Sequence, residues 1–110
     1  MQYYRQVVRL LKKKCPADMP VKVRRLKVPD DRFGDCDQMD DHYFIRISNE
    51  LEEEQAIDIL LHEYSHALSW DKCASEDHCN EWGKAYSKVY QARAHACVAK
   101  KYHQNFGNFT

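Results

Sequence analysis

Hydrophobic side chains recur at helical intervals in three parts of the chain. The pattern covers residues 3–14, a middle segment that ends near Trp70, and a final segment over residues 80–102. Asn49, with Glu52 three residues later, forms a capping-box pattern that predicts the start of the middle helix. We expect the chain beyond the third helix to fray.

Alternation of apolar and polar residues predicts strands between the first two helices. Residues 42–48 alternate most clearly and predict a strand with one buried side. Val21 and Val23 alternate in the same way, but Leu26 resumes on the opposite parity. We therefore expect a strand with a bulge near residues 24–25.

Residues 35–41, between these strands, are acidic and predict a loop or a weak strand. A length of 110 residues points to one domain. Three helices around a few short strands predict the α+β class, with a small sheet packed on the middle and C-terminal helices and an N-terminal helix beside them. We expect a single domain over residues 1–110, and a monomer.

Composition argues against a membrane span. The mean hydropathy is −0.78 and 31% of the residues are charged, so apolar runs are far too short to cross a bilayer. The N-terminus lacks a basic-then-apolar leader, which predicts a cytoplasmic protein. The five cysteines include no C-x-x-C pair. We expect free thiols in a reducing cytosol, although Cys73 and Cys79 could bridge a loop under oxidation.

The net charge is zero, but the charges are segregated along the chain. Residues 1–27 carry nine basic groups and one acid, residues 28–81 carry three and sixteen, and residues 82–110 carry five basic groups and no acid. The basic N-terminal segment could contact nucleic-acid phosphates. The candidates are Arg5, Arg9, Lys12, Lys13, Lys14, Arg24 and Arg25. The simpler interpretation is that they offset the acidic middle within the folded chain, because the pI is only about 7.0.

The middle helix carries an H-E-x-x-H motif from His62 to His66. The four-residue spacing puts both imidazoles on one helix face, one turn apart, where they can share a zinc ion. Glu63 stands beside the first histidine, so it can reach water at the metal without being a ligand itself. Hydrolysis would also need a third ligand and an open coordination position.

Four later residues could complete such a site. His78 is favoured, because neutral imidazole suits zinc and because the loop before the final helix lets the chain turn back. Glu76 or Glu81 could supply a carboxylate, and Cys79 a thiolate. Glu81 could instead stabilise the N-terminus of the final helix through the helix dipole, or orient a ligand imidazole. Cys79 could be a small core residue.

These residues resemble the core of the SprT-like metallopeptidases. That family pairs H-E-x-x-H with a later H-x-x-x-W at the start of a helix, and here the second motif runs from His78 to Trp82. The similarity is nearest to short, phage-type members. It covers residues 42–90 well and residues 1–41 weakly.

The resemblance implies a minimal zincin fold, in which a small sheet with a substrate-holding edge strand is stacked on the metal-bearing helices. It implies one zinc ion held by His62, His66 and His78, with Glu63 as the catalytic acid and base. Cys79 stands where the family commonly has glycine. Larger members add a cysteine-rich zinc ribbon and nucleic-acid-binding regions, and this sequence contains neither.

We therefore expect zinc-dependent hydrolysis of peptide bonds in a polypeptide substrate, with Glu63 moving the proton from water to the leaving amine. Tyr86 or Tyr90 could stabilise the oxyanion, although an aromatic stripe at helical spacing more often belongs to a core. Residues 42–48 could pair with an extended peptide. The alternative is a non-catalytic zinc-binding module that acts through protein or nucleic-acid binding, which a closed four-ligand site would identify.

Overall fold

The computed structural model of the chain describes residues 2–73 and 78–109, with side chains as far as residue 95. Three helices and three strands follow one another along the chain, and they confirm the α+β class. They are α1 (Gln2–Lys14), β1 (Val21–Leu26), β2 (Gly34–Gln38), β3 (Tyr43–Ser48), α2 (Glu53–Leu68) and α3 (Asn80–Phe109), with one turn of 3-10 helix at Trp70–Lys72 before α3. No helix in these ranges combines the length and apolar character that crossing a membrane requires.

The three strands form one mixed sheet in the order β1-β3-β2. β3 lies in the centre, parallel to β1 and antiparallel to β2. The expectation that residues 42–48 could pair with an extended peptide is therefore wrong, because both edges of this strand are already hydrogen-bonded within the sheet. The outer edges of the sheet belong to β1 and β2.

The expected bulge in β1 is also wrong. The pairing with β3 is unbroken from Val21, opposite Tyr43, to Leu26, opposite Ser48. The apolar–polar alternation breaks because the polar residue Arg25 occupies the inner side of the strand, in the position that follows Val21 and Val23. Its guanidinium Nη2 donates to the carbonyl oxygens of Ser48 (2.9 Å) and Leu51 (2.7 Å).

The core lies where α2 packs on β2, β3, α1 and α3. The three helices and the central strand β3 all contribute fully buried apolar side chains: Leu11, Tyr43, Ile45, Ile47, Ile57, Leu60, Leu61 and Val89. These positions match the apolar periodicity of the sequence. Full burial of each aliphatic side chain stabilises the fold by about 1.5–3 kcal/mol.

α2 begins at Glu53, so the capping box predicted at Asn49 is wrong by three residues. The chain first makes a turn, in which the N–H of Asn49 donates to the carbonyl oxygen of Leu26 (3.0 Å). The cap is Glu52, whose N–H donates to Oε1 of Gln55 (3.2 Å). At the other end of the chain, α3 continues to Phe109 instead of ending near residue 102.

Both ends of α1 are tied to α2. The hydroxyl of Tyr64 lies 2.9 Å from the carbonyl oxygen of Cys15 and 3.2 Å from that of Leu11, which satisfies carbonyls at the C-terminus of α1. At its N-terminus, the N–H of Tyr4 donates to Oε2 of Glu53 (3.1 Å). The middle of the H-E-x-x-H motif therefore helps to fix how α2 sits in the fold.

We predict that Gly34→Ala destabilises the protein by about 1–3 kcal/mol, as overpacking does. A Cβ at Gly34 would lie 2.7 Å from the carbonyl oxygen of Arg46 and 2.8 Å from Cγ2 of Ile59, where β2 meets β3 and α2. Urea denaturation measures the loss. Gly83→Ala is the matched control: a Cβ there meets open space in a helix, so its stability should hold or rise by about 0.5–1 kcal/mol. Equal stability of the two variants would contradict the close approach.

Candidate metal centre

α2 presents His62 and His66 on one face, one helical turn apart, as the four-residue spacing predicts. Both side chains are half-buried, and their Nε2 atoms lie 3.3 Å apart. The helix therefore places two imidazole nitrogens at a common point without help from any other element.

His78 reaches the same point from the turn that precedes α3. Its Nε2 lies 3.2 Å from Nε2 of His62, and one ring nitrogen from each of the three histidines lies within 4.8 Å of the others. The structure thus brings together the three histidines that the sequence singled out. Together they could hold one metal ion.

The close approach of these nitrogens is consistent with a cation between them. The Nε2 of His62 has two imidazole nitrogens within 3.3 Å, yet a neutral ring nitrogen offers either one proton or one lone pair. One hydrogen bond can satisfy only one of its neighbours, whereas a cation attracts all three lone pairs. Burial, and then the nearby charge of His78, lower the pKa of His62, which favours the unprotonated form that binds metals.

Trp82 forms an aromatic wall behind the three histidines. Its ring centroid lies 4.6 Å from that of His78, 5.1 Å from His62 and 5.7 Å from His66. Its indole Nε1 donates a 3.4 Å hydrogen bond to the carbonyl oxygen of His62. This packing restricts the imidazole rotamers and gives a structural reason for a tryptophan four residues after His78.

The two candidate phenols continue this wall along α3. Tyr86 stacks on Trp82 at 5.2 Å, and Tyr90 stacks on Tyr86 at 6.2 Å. Tyr86 also packs against the core, whereas Tyr90 is 53% exposed. The stack is continuous from the histidines to Tyr90, and a role of either phenol in stabilising an oxyanion stays a prediction.

A disulfide joins Cys73 and Cys79, with their Cα atoms 5.4 Å apart. The expectation of free thiols is therefore wrong for this pair, because the turn that returns His78 to α2 also returns its neighbour Cys79 to Cys73. Cys79 in this state offers no thiolate to a metal. Cys15 and Cys36 are free thiols, as expected.

The carboxylate alternatives for the third ligand differ in position. Glu81, in the first turn of α3, forms an ion pair with Lys84, in which Oε1 lies 3.2 Å from Nζ. The side chain of Glu81 is 42% exposed. Within the described residues, the group of side chains that could hold a metal contains His62, His66 and His78, without Glu81. Glu76 lies outside the described residues.

Glu63 is buried, with only 9% of the residue exposed. Burial raises its pKa to about 7, with a further contribution from the negative charge of Asp35 and a smaller opposite one from Arg32. Asp35 lies on β2 and forms a two-armed ion pair with Arg46. This pair depends on the register between β2 and β3, which places Asp35 opposite Arg46.

The basic candidates divide into two groups. Arg5, Arg9 and Lys12 of α1, with Arg24 and Arg25 of β1, line a groove of about 610 Å³. Lys13 and Lys14 are exposed outside its lining. None of the groove's lining residues belongs to the histidine cluster.

Comparison of the chain with protein-family models, curated proteins and solved structures finds no match.

We predict that purified protein binds one metal ion per chain and that His78→Ala lowers the affinity by more than about 100-fold, because a ligand is lost. Glu81→Ala is the matched control and should retain the metal, since its carboxylate pairs with Lys84. Elemental analysis and chelator competition measure both. Metal loss in Glu81→Ala, or an unchanged affinity in His78→Ala, would contradict the three-histidine site.

We also predict that Glu63→Gln stabilises the metal-stripped protein at pH 8 by roughly 1–3 kcal/mol, but much less at pH 5. The folded-state pKa of Glu63 is raised to about 7. The carboxyl group therefore destabilises the fold progressively as the pH rises from its ordinary pKa of 4.5 to about 7, whereas glutamine is neutral throughout. Denaturation at both pH values in chelator measures the difference. Glu81→Gln, at a partly exposed carboxylate, is the control. A Glu63→Gln gain that is equal at the two pH values would contradict the burial.

Proposed function

We propose that the protein is a zinc-dependent hydrolase of peptide bonds. His62, His66 and His78 would hold one zinc ion, and Glu63 would be the general base. The single observation that supports the proposal is that three imidazole nitrogens converge beside α2. The same helix also holds Glu63, a buried glutamate with a raised pKa.

The spacing of the nitrogens supports zinc as the metal. Tetrahedral zinc binds imidazole nitrogen at about 2.0–2.1 Å, so two such nitrogens lie about 3.3 Å apart. The Nε2 atoms of His66 and His78 lie 3.3 Å and 3.2 Å from that of His62. Three protein ligands are also the set that catalytic zinc sites use, because a fourth position stays available for water or substrate.

The chemistry would divide between the metal and Glu63. Bound zinc polarises a carbonyl group and makes water more acidic. The carboxylate of Glu63 would accept a proton from the attacking water and deliver it to the leaving amine. A pKa of about 7 suits both transfers, because such a group exchanges protons readily near neutral pH.

The sheet offers a place for the substrate beside the metal-bearing helix. β2 is an edge strand that packs on α2, and its Asp35 lies close enough to Glu63 to influence its pKa. An extended peptide could pair with the outer edge of β2. In this proposal β2, instead of residues 42–48, is the strand that pairs with the substrate.

The same residues support membership of the SprT-like group of zincins. The H-E-x-x-H helix, the third histidine just before a helix and the tryptophan behind the imidazoles are the features that carry this assignment. The proposed membership rests on these motif residues and their arrangement, and it does not specify a substrate.

We predict that Glu63→Gln keeps the zinc but lowers peptide hydrolysis by at least about 100-fold, because the proton acceptor is lost. Quenched fluorescent peptide libraries measure turnover, and elemental analysis measures zinc. Glu81→Gln, on the neighbouring helix, is the matched control and should keep both.

Two results would overturn the proposal. One is undiminished hydrolysis by Glu63→Gln. The other is wild-type protein that holds zinc but cleaves no member of the library, in which case the metal site is structural.

A further inference from the structure

The groove between α1 and β1 combines a large volume with an unusual charge. It measures about 610 Å³, and its lining contains five cationic side chains and no acidic one. Arg5, Arg9 and Lys12 project from α1 and are exposed. No acidic side chain in the described part of the chain lies within ion-pair distance of these three residues, so their charge is available to a partner.

The wall opposite α1 is the outer edge of β1, where Val21 and Val23 have no backbone hydrogen-bond partner among the described residues. In a parallel pair, alternate residues direct both their N–H and C=O to the neighbouring strand. Pro20 and Leu26 accept from Tyr43 and Asn49 in this way, so the even-numbered residues of β1 face β3. The peptide groups of the odd-numbered residues, Val23 among them, therefore point away from β3.

One of these outward groups already has a weak partner. The carbonyl oxygen of Val23 accepts a 3.1 Å hydrogen bond from Nη1 of Arg24, the next residue, at an exposed position. A solvent-exposed bond of this kind contributes little and can be exchanged for an incoming backbone donor. The edge of β1 is thus able to accept another strand.

We propose that this groove binds an acidic segment of another polypeptide in extended conformation, as an added strand along β1. The strand edge would supply backbone hydrogen bonds, and the cations of α1 would supply charge complementarity. The inference does not depend on hydrolysis, because no lining residue belongs to the histidine cluster.

The spacing of the cations fits such a ligand. Arg5 and Arg9 are four residues apart, which is about 6.0 Å along the helix axis. Alternate side chains of a strand are about 6.6–6.8 Å apart on one face. Long arginine and lysine side chains can span that difference, so alternate carboxylates of an added strand can each meet a cation.

The groove suits a polypeptide better than a nucleic acid. Tyr4 is the aromatic residue in its lining, and it is only 6% exposed, with the guanidinium of Arg25 over its ring. Bases therefore have no aromatic face on which to stack, and stacking supplies much of the affinity for single strands. An open strand edge is useful to a peptide backbone but cannot form a ladder with a sugar–phosphate chain.

Fluorescence anisotropy with the full-length protein tests the proposal. The probe is a labelled peptide that alternates glutamate and valine and is long enough to span β1. We expect the double variant Arg5→Glu, Arg9→Glu to bind it at least about tenfold more weakly than wild type. Lys13→Glu, Lys14→Glu is the matched control, because it makes the same change in net charge on the same helix outside the groove. Equal weakening by the two variants would overturn the groove as the site.

A second probe tests strand addition without any protein variant. The same peptide, N-methylated at the amides that would face β1, keeps its charge but cannot donate to the strand edge. We expect its binding to be lost. Unchanged binding of the methylated peptide would overturn the added strand.

Two further outcomes would assign the groove to another occupant and overturn the proposal. One is a single-stranded oligonucleotide that displaces the peptide and binds wild type more tightly, with the same sensitivity to Arg5→Glu, Arg9→Glu. The other is concentration-dependent self-association in sedimentation velocity that the same double variant abolishes, which would make a second copy of this chain the occupant.

Discussion

The burial of α2 between the sheet and the other two helices is the constraint on which the rest of the structure depends. Within the H-E-x-x-H motif, Glu63, Tyr64 and Ser65 are buried, whereas His62 and His66 are half-exposed. One stretch of helix therefore serves both the core and the metal face. The helix backbone that carries the imidazoles cannot shift relative to the fold without unpacking the core, which helps to preorganise them for a ligand.

The third histidine depends on a different set of forces. His78 belongs to a turn, where the backbone alone would leave its imidazole free to move. The Cys73–Cys79 disulfide closes the loop that contains it, and Trp82 packs against its ring. Both restrict the conformations that His78 could adopt without a metal, so less entropy is lost when all three nitrogens meet one ion.

The segregated charges of the chain serve several separate contacts. Of the acidic middle, Glu53 accepts from the N-terminus of α1, Glu54 pairs with Arg93 of α3, and Asp35 pairs with Arg46. These contacts join elements that are distant in sequence. Arg5, Arg9 and Lys12 of α1 have no such acidic partner in the described part of the chain, and they line the groove instead. The basic and acidic segments therefore do not simply neutralise each other.

The sequence alone determined the local features. Periodicity predicted the three helices and the central strand, and the four-residue spacing placed His62 and His66 together, because both depend only on geometry within one element. Tertiary structure decided the rest: the order of the strands, the unbroken β1, the disulfide and the buried environment of Glu63. The strand order, the unbroken β1 and the environment of Glu63 depend on contacts between separate elements, such as Arg25 with Ser48 or Asp35 with Arg46. The disulfide joins residues only six apart and depends on the turn that carries His78. Spacing along a sequence cannot reveal which distant groups will share a low-dielectric interior, and in this protein that sharing raises the pKa of Glu63.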